Sequence, residues 1–183
     1  MNDNFLRFMA LLTPAALVMP AYAVDYLSVD QAQKVLFPKA TQFQKQDVKL
    51  NDSQTSKIKE LAGVKQRNES PGVWNVKAGD KTIGQFFVDE VIGKHEFITY
   101  GVAVSTEGEV VGIEIMSYRE THGGQIREEG WRKNFKGKKI SDPFKLDKDV
   151  PNITGATLSC RNVLDGVKRI LVLRQVLIDE KNL

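Results

Sequence analysis

The spacing of apolar residues predicts two short helices near the start of the chain. Between Ser28 and Phe37, apolar positions recur at intervals of three and four residues, which is typical of an amphipathic helix. Ser28 is a suitable N-cap for this helix and Pro38 ends it. A second stretch of the same kind, over residues 53–62, predicts a helix that ends before Gly63.

The pattern then changes to runs of β-branched and aromatic residues separated by turn signals, from Val73 to Tyr118. Such runs predict strands, and the segment TEGE at 106–109 predicts a hairpin turn, so the three later runs are expected to form an antiparallel meander. His95 falls inside one of the predicted strands and has no assigned role. A polar loop follows, with a short helix near 127–134.

Helices on both sides of a strand block predict an α+β domain, with a twisted antiparallel sheet flanked by helices. The chain of 183 residues has the length of one such domain. We find no internal repeat and no interdomain linker in the sequence.

The last predicted helix begins in the small and hydroxyl residues NITGATLS. With Thr154 as N-cap, residues 155–157 take the first helical positions, whose N–H groups have no intrahelical acceptor. Such a helix start attracts anions, phosphate above all. The alternative interpretation is that Thr-Gly-Ala-Thr is only a helix cap.

An apolar stripe continues along this helix and is expected to anchor it in the core, so that its N-terminus is a rigid platform. Cys160 is expected to be a small buried residue of the stripe, with a reactive thiol as the alternative. The stripe consists of Cys160, Val163, Leu164, Val167, Ile170 and Leu171, and the predicted polar face consists of Arg161, Asn162, Asp165, Lys168 and Arg169.

Residues 1–23 are predicted to be a secretory signal peptide, which leaves residues 24–183 as the mature domain. A short apolar run precedes the sequence AYA at 21–23, a small-x-small cleavage pattern. The n-region is only weakly basic, so an uncleaved membrane anchor is the alternative, although the apolar run is short for a bilayer span. The mature domain is therefore expected in the periplasm or another extracytoplasmic space.

Composition excludes several classes of function. One Cys and two His cannot build a Cys-x-x-Cys-His haem site, an iron–sulfur cluster or a structural zinc site. The net charge of +3 comes from 26 basic residues scattered among 23 acidic ones, and no pattern indicates nucleic acid. The sequence also has no Ser-His-Asp candidate, paired-carboxylate signature or dinucleotide fingerprint, so no catalytic residues are assigned.

Two motifs make the sequence recognisable. ITGATLS resembles the Ser/Thr-Gly-Ala-Thr motif of the FMN-binding domain family, which includes flavin-carrying subunits of the sodium-pumping NADH:quinone oxidoreductase and of the Rnf complex. The segment ETHGGQIREEGWRKNFKG, residues 120–137, resembles the loop of that family, Glu-Thr-x-Gly-x-Gly followed by Trp and Phe-x-Gly. The two motifs stand in the expected order.

The resemblance implies FMN as the cofactor. In the family, a separate flavin transferase that uses FAD joins FMN by a phosphoester to the last Thr of the motif, which is Thr157 here. The family usually has an acidic residue where this chain has Pro151. Noncovalent FMN at the same helix start is therefore the alternative.

The implied site has two parts, one for the phosphate of FMN and one for its ring. Gly123 and Gly124 are expected to let backbone N–H groups approach the ring edge. His122 either contacts the flavin or is an exposed loop residue, and Tyr118 and Trp131 either pack on the ring or belong to the core. The candidate residues are Thr154, Gly155, Ala156, Thr157, Leu158 and Ser159 for the phosphate, and Glu120, Thr121, His122, Gly123, Gly124 and Gln125 for the ring.

These features predict an extracytoplasmic electron carrier that passes electrons between a membrane-bound donor and another redox protein. Glu120 is expected to fix its loop by accepting backbone hydrogen bonds. Two alternatives stay open, an FMN-dependent reductase of a small molecule and a non-redox interaction module whose flavin site has decayed.

Overall fold

The structure is a computed structural model that describes residues 26–181. The predicted signal peptide at 1–23 lies outside the described residues. The elements in chain order are α1 (Val29–Leu36), β1 (Gln42–Gln46), α2 (Asp52–Ala62), β2 (Gly72–Ala78), β3 (Lys81–Ile92), β4 (Phe97–Ser105), β5 (Val110–Tyr118), α3 (Glu129–Arg132) and α4 (Thr157–Asp179), with 3-10 turns at Gly124–Arg127 and Lys133–Phe135 on either side of α3.

The strands form one antiparallel sheet in the order β1-β2-β3-β4-β5, so every strand pairs with its neighbour in sequence. The predicted α+β class and the meander of the later strands are confirmed. Helix α1 packs on one face of the sheet, against β4 and β5. Helix α4 packs on β3 and β4 and also contacts α2.

Alternation along the strands builds a core on each face of the sheet. Phe86 belongs to the cluster on the α1 side, and its neighbour Phe87 belongs to the cluster on the α4 side. Both side chains are buried, because successive residues of a strand point to opposite faces and here both faces are covered. This explains why β3 has consecutive apolar residues where a sheet with one solvated face would alternate.

Both predicted early helices are present and begin with capping boxes. Ser28 accepts the N–H of Gln31, whose side chain accepts the N–H of Ser28 in return. Asn51 and Gln54 make the same pair of bonds at the start of α2. Each box satisfies two backbone donors that have no intrahelical acceptor.

The long helix α4 is buried over most of its 23 residues, including the predicted stripe and Cys160. The assignment of Arg169 to a polar face was wrong, since this residue is only 4% exposed. Its guanidinium pairs with Asp89 of β3, which also accepts the hydroxyl of Tyr100 at 2.7 Å. The spacing of residues along the helix could not predict this burial, because the partner of Arg169 is remote in sequence.

Two local features differ from the prediction. Strand β1 was not predicted, because its sequence QFQKQ lies at the sheet edge and has only one apolar residue, Phe43, to indicate a buried face. The helix expected at 127–134 is a succession of short turns in which α3 has only four residues.

Within residues 26–181, no helix combines the length and the apolar character that crossing a membrane requires. The most buried helix, α4, includes charged residues along its whole length.

Candidate functional site

Helix α4 begins later than predicted. Thr154 is not the N-cap, because Thr154 and Gly155 form a turn and the helix starts at Thr157 after Ala156. Gly155 has a φ of +81°, a left-handed conformation that favours glycine. No side chain caps this helix start, so the N–H groups of Thr157, Leu158 and Ser159 have neither an intrahelical acceptor nor a capping one.

The loop after β5 packs directly against this helix start. Gly123 has a φ of +85°, and a Cβ built on it would overlap the side chain of Ala156 and the hydroxyl of Tyr118. The Tyr118 hydroxyl donates to the carbonyl of His122. The absence of a side chain at Gly123 therefore lets the two motifs touch, and its expected approach to the flavin ring stays a prediction.

Both motifs line one cleft of about 400 Å³. This volume is within the range of small-molecule sites. The cleft is lined by Lys94, His95, Glu120, Thr121, His122, Gly155, Ala156, Thr157, Leu158 and Ser159. The fold therefore brings together eight of the twelve predicted site residues.

The other four predicted residues do not line this cleft. Thr154 is exposed in the turn before it, and Gly123 is buried beneath it. Gly123, Gly124 and Gln125 line a more open groove beside it, which shares Thr121 and His122 with the cleft.

The turn between β3 and β4 forms a third wall that sequence reasoning missed. His95 was placed inside a strand, but it lies in the turn 93–96, where it and Lys94 face the two motifs. The dipeptide Gly93-Lys94, which separates two apolar runs, was the available signal for a turn. That this turn lies beside the two motifs could not be predicted from the sequence and is seen only in the folded structure.

Tyr118 and Trp131 belong to the core beneath the loop, each being 5% exposed. Burial raises the pKa of the Tyr118 hydroxyl, and a hydrogen bond with Ser159 opposes that rise. The indole N–H of Trp131 donates to the carbonyl of Pro151 at 2.8 Å. This bond ties the second motif to the segment that leads into α4.

Some polar groups of the cleft have a hydrogen-bond or ion-pair partner within the protein, and Lys94 has no ion-pair partner within residues 26–181. Glu120 accepts backbone N–H groups, as predicted, but they belong to the β3–β4 turn and not to its own loop. His122 is exposed, with its Nδ1 2.9 Å from the hydroxyl of Thr121. Among the described residues, Lys94 has no ion-pair partner.

Cys160 does not contribute a reactive group. Its side chain is fully buried one turn into α4, and burial raises the pKa of the thiol above its ordinary value. A thiol of this kind is protonated at neutral pH and is a poor nucleophile.

The cleft fits the chemistry of FMN. A phosphate needs N–H donors and positive charge, which the uncapped start of α4 and Lys94 supply. A Cβ on Gly155 would meet no atom within 4 Å, so the backbone is open to a bulky group there. Leu158 is 47% exposed in the cleft, and its apolar surface suits a flat ring.

Comparison with known proteins agrees with this geometry. Residues 93–172 match a family described as FMN-binding domain, and this segment contains every residue that lines the cleft. The chain belongs to the FMN-binding domain family. It is 30% identical over 133 residues to a component of the proton-translocating ferredoxin:NAD(+) oxidoreductase complex of Clostridium ljungdahlii, and the match covers 68% of this chain and 71% of that protein.

Proposed function

We propose that this protein is an electron carrier whose FMN is attached through a phosphoester to the hydroxyl of Thr157. The observation that carries the proposal is the meeting of the two motifs in one cleft at an uncapped helix start. The similar Clostridium ljungdahlii protein is a component of an oxidoreductase complex by name, which supports a role in electron transfer.

In this proposal, each wall of the cleft binds a different part of FMN. The N–H groups at the start of α4 and the ammonium of Lys94 hold the phosphate, and Leu158 gives the ring an apolar surface. Thr121 and His122 offer hydrogen-bonding side chains beside it. FMN supplies one- or two-electron redox chemistry when bound.

The attachment step uses FAD as the donor and needs a flavin transferase. A bond forms between Oγ1 of Thr157 and the phosphorus on the FMN side of FAD, while the bond from that phosphorus to the bridging oxygen breaks. AMP leaves, and the hydroxyl proton leaves with it in the net reaction. Thr157 is partly exposed in the cleft, which gives a transferase access to the hydroxyl.

Coexpression with a flavin transferase tests the attachment. We expect flavin fluorescence that survives denaturing electrophoresis in the wild type, its complete loss in Thr157→Ala and its retention in Thr154→Ala. Thr154 is the matched control because it is a threonine of the same motif that lies outside the cleft. Flavin that is released on denaturation would support the noncovalent alternative, and a protein without flavin would contradict the proposal.

We further propose that the chain is exported and works with a redox partner protein outside the cytoplasm. The motivation is the apolar run before AYA at 21–23. The protein should be expressed together with a flavin transferase in a host that exports proteins across its membrane. Its intact mass should then lack residues 1–23 and include one FMN phosphoester. A mass that retains the first 23 residues would contradict cleavage without bearing on the flavin.

A further inference from the structure

A single carboxylate joins two walls of the cleft. Glu120 follows β5, and its Oε1 accepts the N–H of His95 at 2.6 Å and the N–H of Glu96 at 3.0 Å. Both donors belong to the β3–β4 turn, which lies beside Glu120 because Ile98 at the start of β4 pairs with Tyr118 at the end of β5. The turn also closes on itself, since the N–H of Gly93 donates to the carbonyl of Glu96 at 2.7 Å.

Gly93 makes the approach of this carboxylate possible. A Cβ on Gly93 would overlap Oε1 of Glu120 and would lie 3.0 Å from its Cγ. The backbone of Gly93 is outside the left-handed region, so alanine can adopt its conformation. Only the steric contact with Glu120 opposes a side chain at this position.

The charge of Glu120 strengthens the contact. Desolvation acts to raise its pKa, but the N–H groups of Glu96, His95 and Lys94 outweigh this effect and hold the pKa below its ordinary value. Hydrogen bonds to a charged group are stronger than those between neutral groups. The carboxylate is therefore ionised and bonded to the turn at neutral pH.

We propose that Glu120 is a positioning residue of the flavin site, whose carboxylate fixes the β3–β4 turn so that Lys94 and His95 stay on the cleft wall. The proposal rests on the FMN function proposed above. An ammonium fixed at the phosphate also favours the electron-rich reduced ring over the oxidised one, so a fixed Lys94 raises the reduction potential. Glu120 acts through the turn and needs no contact with the flavin.

Amide hydrogen exchange in the flavin-free protein tests the contact itself. We expect Glu120→Ala and Gly93→Ala each to lower the protection of the His95 and Glu96 amides by about tenfold or more, since both variants break charged hydrogen bonds. Glu120→Gln keeps an acceptor oxygen without the charge, so it should lower the protection by less than Glu120→Ala does. Glu96→Gln, which removes a carboxylate from the same turn, is the matched control. Unchanged protection in Glu120→Ala would overturn the proposal.

The reduction potential of the FMN-loaded variants tests the consequence. Glu120→Gln removes only a negative charge and should shift the potential to a more positive value. Gly93→Ala keeps that charge but displaces the carboxylate, so it should shift the potential to a more negative value. Glu120→Ala should lie below Glu120→Gln, because it also releases Lys94. Equal potentials in the two Glu120 variants would show a simple charge effect and overturn the positioning role.

The double variant Lys94→Gln/Glu120→Ala completes the experiment. If Glu120 acts through Lys94, releasing the turn has no further effect once Lys94 is replaced. The shift of the double variant should then equal the shift of Lys94→Gln plus the shift of Glu120→Gln, which measures the loss of the negative charge alone. Full additivity of the two single shifts would overturn the proposal. A wild type without flavin would instead contradict the proposed function and the positioning role together.

Discussion

The helix starts of this protein are of two kinds. Helices α1 and α2 begin with Ser28 and Asn51, whose ψ angles of 167° and 173° suit a side-chain cap. Helix α4 begins after Ala156, which has a ψ of 22° and no side chain able to accept a hydrogen bond. Two helices of 8 and 11 residues thus have a side-chain cap at their start, whereas the helix of 23 residues has none.

Helix α4 therefore does not depend on its first turn for stability. Its length is buried between the sheet and α2, so packing holds it in place and the first N–H groups stay available. The two short helices have smaller buried faces, and their caps contribute more of their stability. Positions at the start of α4 should therefore affect flavin, and positions at the other starts should affect folding.

Thr157 should show the largest effect on flavin and almost none on folding. Thr157→Val keeps the shape of the side chain and removes the hydroxyl, so covalent flavin should be lost completely. The free energy of unfolding of the flavin-free protein should change by less than about 0.5 kcal/mol, as for a surface substitution. Thr157→Ser, which keeps a hydroxyl, should retain covalent flavin. If Thr157→Val instead lost more than about 1 kcal/mol of stability and kept its covalent flavin, Thr157 would serve folding and not flavin attachment.

Arg169 should show the largest effect on folding, because it anchors the middle of α4. Arg169→Met leaves Asp89 buried without its cation, and we expect a loss of about 3–5 kcal/mol in urea unfolding. Arg161→Met, on the exposed side of the same helix, should cost less than about 0.5 kcal/mol. Similar effects from both variants would show that the ion pair does not anchor the helix.

The caps of the short helices should have an intermediate effect on folding and none on flavin. Ser28→Ala and Asn51→Ala should each lower the free energy of unfolding by about 1 kcal/mol, because each leaves backbone donors unsatisfied. The flavin content per folded protein should equal that of the wild type. A selective loss of flavin in either variant would contradict the division of roles.

The smallest expected effect is the pH dependence of the β3–β4 turn. The N–H groups of this turn have an acceptor, Glu120, whereas the first N–H groups of α4 have no side-chain acceptor. The pKa of Glu120 is lower in the folded than in the unfolded protein, so its contribution to stability is present above the unfolded pKa and is lost as pH falls through the folded pKa. Protection of the His95 amide should therefore stay constant down to the ordinary Glu pKa of about 4.3 and should fall only at lower pH, toward the level of Glu120→Gln. An NMR titration of the Glu120 carboxyl with a midpoint above about 4.3 would contradict this prediction.

The fold was predictable where local pattern and burial agree. Ser28 and Gly63 marked helix ends correctly, and the turn at 106–109 fixed the β4–β5 hairpin. The edge strand β1 was missed because Phe43 alone gives no period. The cap at Thr154 was wrong because a left-handed Gly155 ends the turn before the helix begins, and the identity of a residue does not reveal its φ.

The class of the fold, the two motifs and the membership of the FMN-binding domain family all follow from the amino-acid sequence alone. These depend on the order of residue types along the chain, which periodicity and motif spacing record directly. The folded structure was needed to show that Lys94 and His95 share a cleft with Thr157 and that Arg169 is paired with Asp89. Both facts join residues that are far apart in sequence, and such contacts follow from how the sheet and α4 pack, not from any local pattern.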